Sequence, residues 1–169
     1  VWPQTKIIGV EPEDAACLKL ALDRGRRATL SEVGLFADGC AVAQVGKETF
    51  RVIRETVDEV ITASTDEMCA AIKDIFEDTR SIAEPAGALA LAGLKKYAER
   101  EGCEDKDLLA IVSGANTNFD RLRYISERTE IGEQREAVLS VTIPERPGSF
   151  RAFCGVLGRR NITEFNYRY

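Results

Sequence analysis

A serine that follows an apolar run, with only small residues behind it, can present its hydroxyl to a ligand without steric competition. Ser113-Gly114-Ala115-Asn116, directly after Leu109-Ala110-Ile111-Val112, has that form. The chemistry it suits is a hydrogen bond to a ring nitrogen or a phosphate oxygen; an ordinary strand-to-helix turn with a serine cap is the plain alternative. Two other strings set a carboxylate beside glycine among apolar residues, Glu84-Pro85-Ala86-Gly87 and Ala37-Asp38-Gly39. Here the plain alternatives are helix capping for Glu84 and an Asp-Gly turn for Asp38. Taken singly, the plain alternative is favoured for each of these two; three such strings in one stretch of chain make a shared cleft more plausible than any one does.

The residue types that are missing narrow the chemistry further. The 169 residues include no histidine. Within this chain that excludes Ser-His and Cys-His nucleophiles, His-ligated zinc and the commonest general base. Five cysteines, an odd number without a CxxC pair, argue against a disulfide framework or a zinc cluster and for a reducing, cytoplasmic setting. Cys17 and Cys69 fall in apolar helical patterns, where a cysteine acts as a small buried hydrophobe. A Schiff-base lysine must be desolvated. Lys6, Lys19, Lys47, Lys73 and Lys106 sit at a strand edge or among polar neighbours, and Lys95-Lys96 reads as a solvated pair. Neither a GxGxxG fingerprint, a P-loop nor a GxSxG elbow is present.

These groups need a scaffold, and the composition allows one. The chain is 44% hydrophobic and 30% charged, with 23 basic against 28 acidic residues, so it can bury a core. Its net charge of −5 speaks against nucleic acid as a partner, and no apolar run reaches the length of a membrane span. Residues 6–10 and 59–62 are β-branched runs that predict buried strands, and residues 109–112 predict a third. Residues 15–22 and 50–57 predict helices, whereas the glycine-rich residues 30–45 predict a long irregular stretch. Ser64 and Glu67 have capping-box spacing ahead of a helix with Met68, Ala71, Ile72, Ile75 and Phe76 on one face. Pro85 suits the first position of a further helix, so small and apolar that both sides must be packed. Strands alternating with helices imply an α/β fold, a parallel sheet covered on both faces, with ligands at the carboxyl ends of the strands.

After Arg128 the pattern changes. Residues 138–143 alternate like a half-exposed strand, Pro144 to Ser149 turn into a helix reaching Leu157, and residues 161–169 predict another strand that buries Ile162, Phe165 and Tyr167. From Glu133 onward six arginines face four glutamates, a net +2 in an acidic chain. The expected division is therefore residues 1–132 and 133–169, the second an incomplete βαβ module.

The strings IIGVEPEDAACLKLAL, VGLFADGCAV, AEPAGALALAGLKKY and SGANTNFDRLRYISER, in that order, resemble the threonine deaminase (threonine ammonia-lyase) family of fold type II pyridoxal-phosphate enzymes. The last 38 residues, from Gly132, resemble the start of that family's ACT-like regulatory region, with Pro147-Gly148 at its effector loop. The resemblance implies a pyridoxal 5'-phosphate lyase acting on threonine or serine, giving 2-oxobutanoate and ammonia from threonine on the way to isoleucine. It further implies isoleucine and valine as effectors and a homo-oligomer, tetrameric when full length. Ser113 matches the serine that hydrogen-bonds the pyridine nitrogen, and Gly39 and Glu84 match positions lining the cofactor cleft.

The resemblance also places the Schiff-base lysine and phosphate loop upstream of Val1, so no catalytic residue is expected in this chain, and the chain alone is expected to be inactive. Serine racemases in the same group bind a divalent cation through the residues matching Glu11, the Ala15 backbone and a carboxylate at position 17. Cys17 is a poor ligand for a hard cation, so no metal is expected. Two other readings stand beside the catalytic one: an amino-acid-sensing fragment that binds isoleucine or valine, and a piece whose tail pairs protomers.

Overall fold

The two β-branched runs at the start find each other. In the computed structural model, which describes residues 3–133 and 135–167, β1 (Ile8–Pro12) pairs in parallel with β2 (Glu59–Ala63), Ile8 opposite Glu59 and Pro12 opposite Ala63. β1 runs two residues later than expected. Ahead of it Ile7 is tied instead to Asp58, whose carboxylate accepts the Ile7 N–H at 2.7 Å and whose own N–H donates to the Ile7 carbonyl at 2.9 Å. A parallel pair needs a crossover, and this one holds helices α1 (Cys17–Asp23) and α2 (Lys47–Thr56). Cys17, Ala21, Val45 and Phe50 form a small core of their own there.

Helix α3 (Thr65–Thr79) starts at the expected capping box. The Ser64 hydroxyl accepts the Glu67 N–H at 3.2 Å, and the Glu67 carboxylate accepts the Ser64 N–H at 2.7 Å. Met68, Ala71, Ile72 and Ile75 are buried as predicted. Phe76 is not; it is 42% exposed, its ring under the Arg80 guanidinium 5.8 Å away. Helix α4 (Pro85–Glu101) has proline in its first turn, and every residue from Ala83 to Leu94 is at least partly buried. It packs on both α3 and the strands. The pair expected to be solvated keeps its side chains 46% and 40% exposed, and it also bridges helices: Lys95 binds Asp74 and Lys96 binds Glu67, both on α3.

Sequence reasoning did not anticipate α5 (Arg121–Gly132), which packs along α3. Thr129, 2% exposed, holds its hydroxyl 3.1 Å from the Cys69 carbonyl and 2.8 Å from that of Ile125. At the surface of the same contact Lys73 pairs with Glu133 at 2.6 Å and Arg128 with Asp66 at 3.1 Å.

The chain divides into two compact units, Val1–Ala137 and Val138–Tyr169. In the second, α6 (Ser149–Leu157) forms as expected, with Phe150 5.1 Å from Phe165, ring to ring.

Three expected strands do not form ladders among the described residues: 109–112, 138–143, and 161–169, of which 168 and 169 lie outside the described residues. A strand exists only when a neighbour supplies the other half of its hydrogen bonds, and pattern alone cannot supply the neighbour. The apolar side chains accordingly stay open: Leu109 is 84% exposed, and Ile162, Phe165 and Tyr167, expected inside, are each about half exposed.

Candidate cofactor-binding edge

Three separate strings converge on the first turn of α4. Glu84 is the N-cap of that helix, in extended backbone conformation, and its N–H donates to the Gly114 carbonyl at 3.1 Å. One turn on, Gly87 faces the same peptide: a Cβ there would stand 2.2 Å from the Gly114 carbonyl oxygen. Such a distance between a side-chain carbon and backbone is impossible, so glycine at 87 sets how close α4 comes to Ser113-Gly114. On its other side the turn meets the irregular stretch, where a Cβ on Gly39 would come 3.0 Å from that of Ala86. A further clip lies just beyond, the Thr117 hydroxyl donating to the Ala83 carbonyl at 3.2 Å.

The Glu84 side chain does not do what helix capping would ask of it. It makes no cap hydrogen bond, and its carboxylate lies instead against Gly114, where a Cβ would meet Oε1 at 1.9 Å. Glu84 thus caps α4 by position and backbone but not by its side chain. Asp38 does make the expected turn, its Oδ1 accepting the Gly39 N–H at 3.0 Å in a single turn of 3-10 helix (Asp38–Cys40). The structure thus brings Glu84, Gly39 and the peptide after Ser113 together. Ser113 and Gly39 are both exposed, and Glu84 is partly buried.

The surrounding electrostatics are acidic. Burial pushes the Cys40 thiol up, and Glu11, Asp14, Asp38 and Glu84 push it the same way. Its Sγ donates to the Ala37 carbonyl at 3.3 Å, so it is held as a neutral thiol and not as a nucleophile. Burial raises the Cys17 thiol too, with Glu11 adding to the shift. Glu11 itself closes the start of α1 from the end of β1, its two oxygens accepting the Leu18 and Lys19 N–H groups at 2.8 Å each. That carboxylate is engaged in an N-terminal cap.

Sequence reasoning missed Gly87 as a spacer, Thr117 as a clip, and Phe36, Arg121 and Tyr124, which hold the Gly39 segment against α5. The Arg121 guanidinium donates to the Phe36 carbonyl at 3.4 Å and lies 3.8 Å from the Asp38 carboxylate, and the Phe36 and Tyr124 rings are 5.6 Å apart. No local signal pairs residues 85 positions apart. The glycine in Glu84-Pro85-Ala86-Gly87 was visible, but its role depends on what lies above it.

Ser113 is exposed in an irregular segment beside Gly114, and a neutral hydroxyl there is chemically able to hydrogen-bond a ring nitrogen such as that of pyridoxal phosphate.

Comparison with known proteins agrees along the whole chain. The biosynthetic L-threonine dehydratase of Burkholderia multivorans is 60% identical over 168 residues, covering 99% of this chain and 33% of that protein. The biosynthetic chloroplastic threonine dehydratase of Arabidopsis thaliana is 53% identical, covering 99% of this chain and 28% of that one. Among solved structures, the processed form of threonine deaminase isoform 2 from Solanum lycopersicum superposes with a TM-score of 0.74 at 44% identity, over 75% of this chain and 37% of that one. This chain spans about a third of the length of the curated relatives it matches. Residues 127–169 match the family described as the C-terminal regulatory domain of threonine dehydratase. With residues 1–114 matching the family of pyridoxal-phosphate dependent enzymes, and with the α/β architecture shared, this chain belongs to that family.

Proposed function

We propose that this chain serves threonine deamination: residues 1–132 as the C-terminal part of the catalytic domain, and residues 133–169 as the opening of an ACT-like regulatory domain. Overall, threonine yields 2-oxobutanoate and ammonium; the β-hydroxyl leaves as water, and water returns when the nitrogen is released. Pyridoxal phosphate supplies the electron sink for this elimination. The Schiff-base lysine and phosphate loop belong to sequence outside this chain.

Ser113 would donate a hydrogen bond from its hydroxyl to the pyridine nitrogen. A hydroxyl there would leave that nitrogen neutral, where a carboxylate would keep it protonated, and a neutral ring would be the weaker electron sink, which suits elimination of a β-hydroxyl. Glu84 and Gly39 would line the cleft beside it, Gly39 lying close against Ala86 in the first turn of α4. The observation that carries this reading is the convergence of Glu84, Gly39 and the Ser113-Gly114 peptide on the first turn of α4. In the full-length protein, Ser113→Ala is expected to weaken pyridoxal phosphate binding and to cut kcat at least tenfold. Wild-type cofactor affinity together with wild-type kcat would sink the assignment.

A second reading, amino-acid sensing by the tail, has its own observation. The second unit has an open surface pocket of about 500 Å³ lined by apolar and charged residues, among them Ile143, Arg146, Phe150, Phe165 and Tyr167. That is within the roughly 300–1,000 Å³ of small-molecule sites. Arg146 suits a carboxylate and the aromatic rings suit a branched side chain, so isoleucine or valine is the proposed effector. Calorimetric titration of the full-length protein with isoleucine tests it; no heat from folded protein counts against it. We place the enzyme in the cytoplasm as a homo-oligomer, tetrameric at full length. Among the described residues no helix is long and apolar enough to cross a membrane, and the Arabidopsis relative is named as chloroplastic.

A further inference from the structure

The segment that carries Gly39 is not held by the sheet. It has one turn of 3-10 helix and no strand partner, and its own hydrogen bonds are local, Cys40 N–H to Ala37 O at 3.0 Å and Ala41 N–H to Asp38 O at 3.2 Å. A stretch so sparsely bonded needs an outside support to keep one geometry. Burial of Ala37 in the main core and contact with α4 support one side, and the opening turn of α5 supports the other: Arg121 donates to the Phe36 carbonyl at 3.4 Å and lies 3.8 Å from the Asp38 carboxylate, and the Tyr124 ring meets that of Phe36 at 5.6 Å, tilted by 53°. Leu122 and Phe36 also pack on the same core cluster, the one that contains Ile125.

α5 is a firm base for this. Four residues below Ile125 its buried Thr129 is hydrogen-bonded to the α3 backbone, and Arg128 and Glu133 pair with Asp66 and Lys73 of α3. The same helix contains residue 127, where the match to the regulatory family begins.

We infer that Arg121 and Tyr124 are positioning residues: they fix the Asp38–Gly39 segment against the first turn of α4, so that the wall beside the cofactor is set from α5. The placement of the cofactor rests on the function proposed above; the hold on the segment does not. Neither residue touches the reacting atoms.

The test uses the full-length protein, with amide hydrogen exchange read at residues 38–41 and, as internal reference, at residues 65–79. In Arg121→Gln and in Tyr124→Leu, exchange at residues 38–41 is expected to rise about tenfold while the α3 reference stays put, since a local support is lost without global unfolding. Pyridoxal phosphate affinity, read by its absorbance, is expected to fall about three- to tenfold, from the same local opening. Unchanged exchange at residues 38–41 overturns the inference. So does a rise shared equally by α3, which would mean that α5 had merely come off. Faster exchange with unaltered cofactor affinity overturns the positioning role. Ser113→Ala separates the two claims: if cofactor affinity ignores that change, the cofactor placement fails, while the exchange result still decides what holds the segment.

Discussion

The N–H of Glu84 donates to the carbonyl of Gly114 across 3.1 Å, and the Glu84 carboxylate folds back over the same glycine, 1.9 Å from where its Cβ would be. Backbone and side chain of one residue thus clamp the peptide that follows Ser113. The helix start that carries the clamp can approach because residue 87 has no side chain.

The two glycines answer differently to a methyl group. At Gly87 the obstruction is backbone, the Gly114 carbonyl at 2.2 Å and its nitrogen at 2.9 Å, so Gly87→Ala must push α4 away. Overpacking of that kind costs about 1–3 kcal/mol. At Gly114 the obstruction is the far end of Glu84, which can swing aside. Gly114→Ala is therefore expected to cost less in thermal or urea unfolding than Gly87→Ala. An equal loss in the two variants would show that the close approach is not what Gly87 is for.

The start of α3 gives a cleaner stability test. Ser64 and Glu67 exchange two hydrogen bonds, at 3.2 and 2.7 Å. Ser64→Ala removes the acceptor for the Glu67 N–H and is expected to lower stability by about 1 kcal/mol, within the usual 0.5–2 for a lost N-cap. The urea midpoint should fall with an unchanged slope. A change below about 0.3 kcal/mol would mean that water replaces the cap at no cost, against the usual behaviour of such positions.

That capping box was legible in the sequence because every element of it is local: a serine, a glutamate three residues on, and an apolar stripe after them. The first-turn proline of α4, its all-round burial and the parallel pairing of two β-branched runs were legible for the same reason. Residues 109–112 were not. Their apolar pattern says "buried", and burial needs a partner the pattern cannot name; Leu109 is 84% exposed and no ladder forms among the described residues. α5 was hidden for the opposite reason. Arg121-Leu122-Arg123-Tyr124 looks like surface, and only its fit to α3 through Thr129 and Ile125 makes the helix. At the site, Ser113, Glu84 and Asp38 stand out by residue type, while Gly39 is nominated by the family resemblance. The groups that set their geometry, Gly87, Thr117 and Arg121, are defined by contacts between distant segments.

The junction of α3 and α5 should respond to acid in a defined direction. The hydrogen bond from Lys73 holds the Glu133 carboxyl below its ordinary value of 4.5, with Arg135 assisting, and the same bond raises Lys73 above its ordinary 10.5. A lowered carboxyl contributes stability above its unfolded pKa and loses it as pH falls through the folded value. A raised lysine contributes below its unfolded pKa and loses it only as pH climbs through its higher folded value. Between those limits the contribution is flat. Lys73→Met should therefore lower the urea midpoint by a constant amount from about pH 6 to 9, and the gap to wild type should close below about pH 4.5. A gap as wide at pH 3 as at pH 7 would show that Lys73 acts through the packing of its stem and not through Glu133.

Cys69 provides a probe of the same junction from inside. It is fully buried in α3, its carbonyl accepts the Thr129 hydroxyl at 3.1 Å, and burial pushes its thiol up to about 12. At pH 8 only about one thiol in ten thousand would be ionised, and the thiolate is the form that reacts. Native protein should leave Cys69 unmodified by iodoacetamide, and the modification rate should rise only when α5 separates from α3 or the chain unfolds. Thr129→Val keeps the volume and removes the hydroxyl that caps the Cys69 carbonyl, so it should speed labelling of Cys69 by loosening the α5 contact. Peptide mass spectrometry after timed labelling reads this directly. Rapid labelling of Cys69 in the wild-type protein, at a rate independent of urea, would mean that the α3–α5 contact opens far more readily than its packing implies.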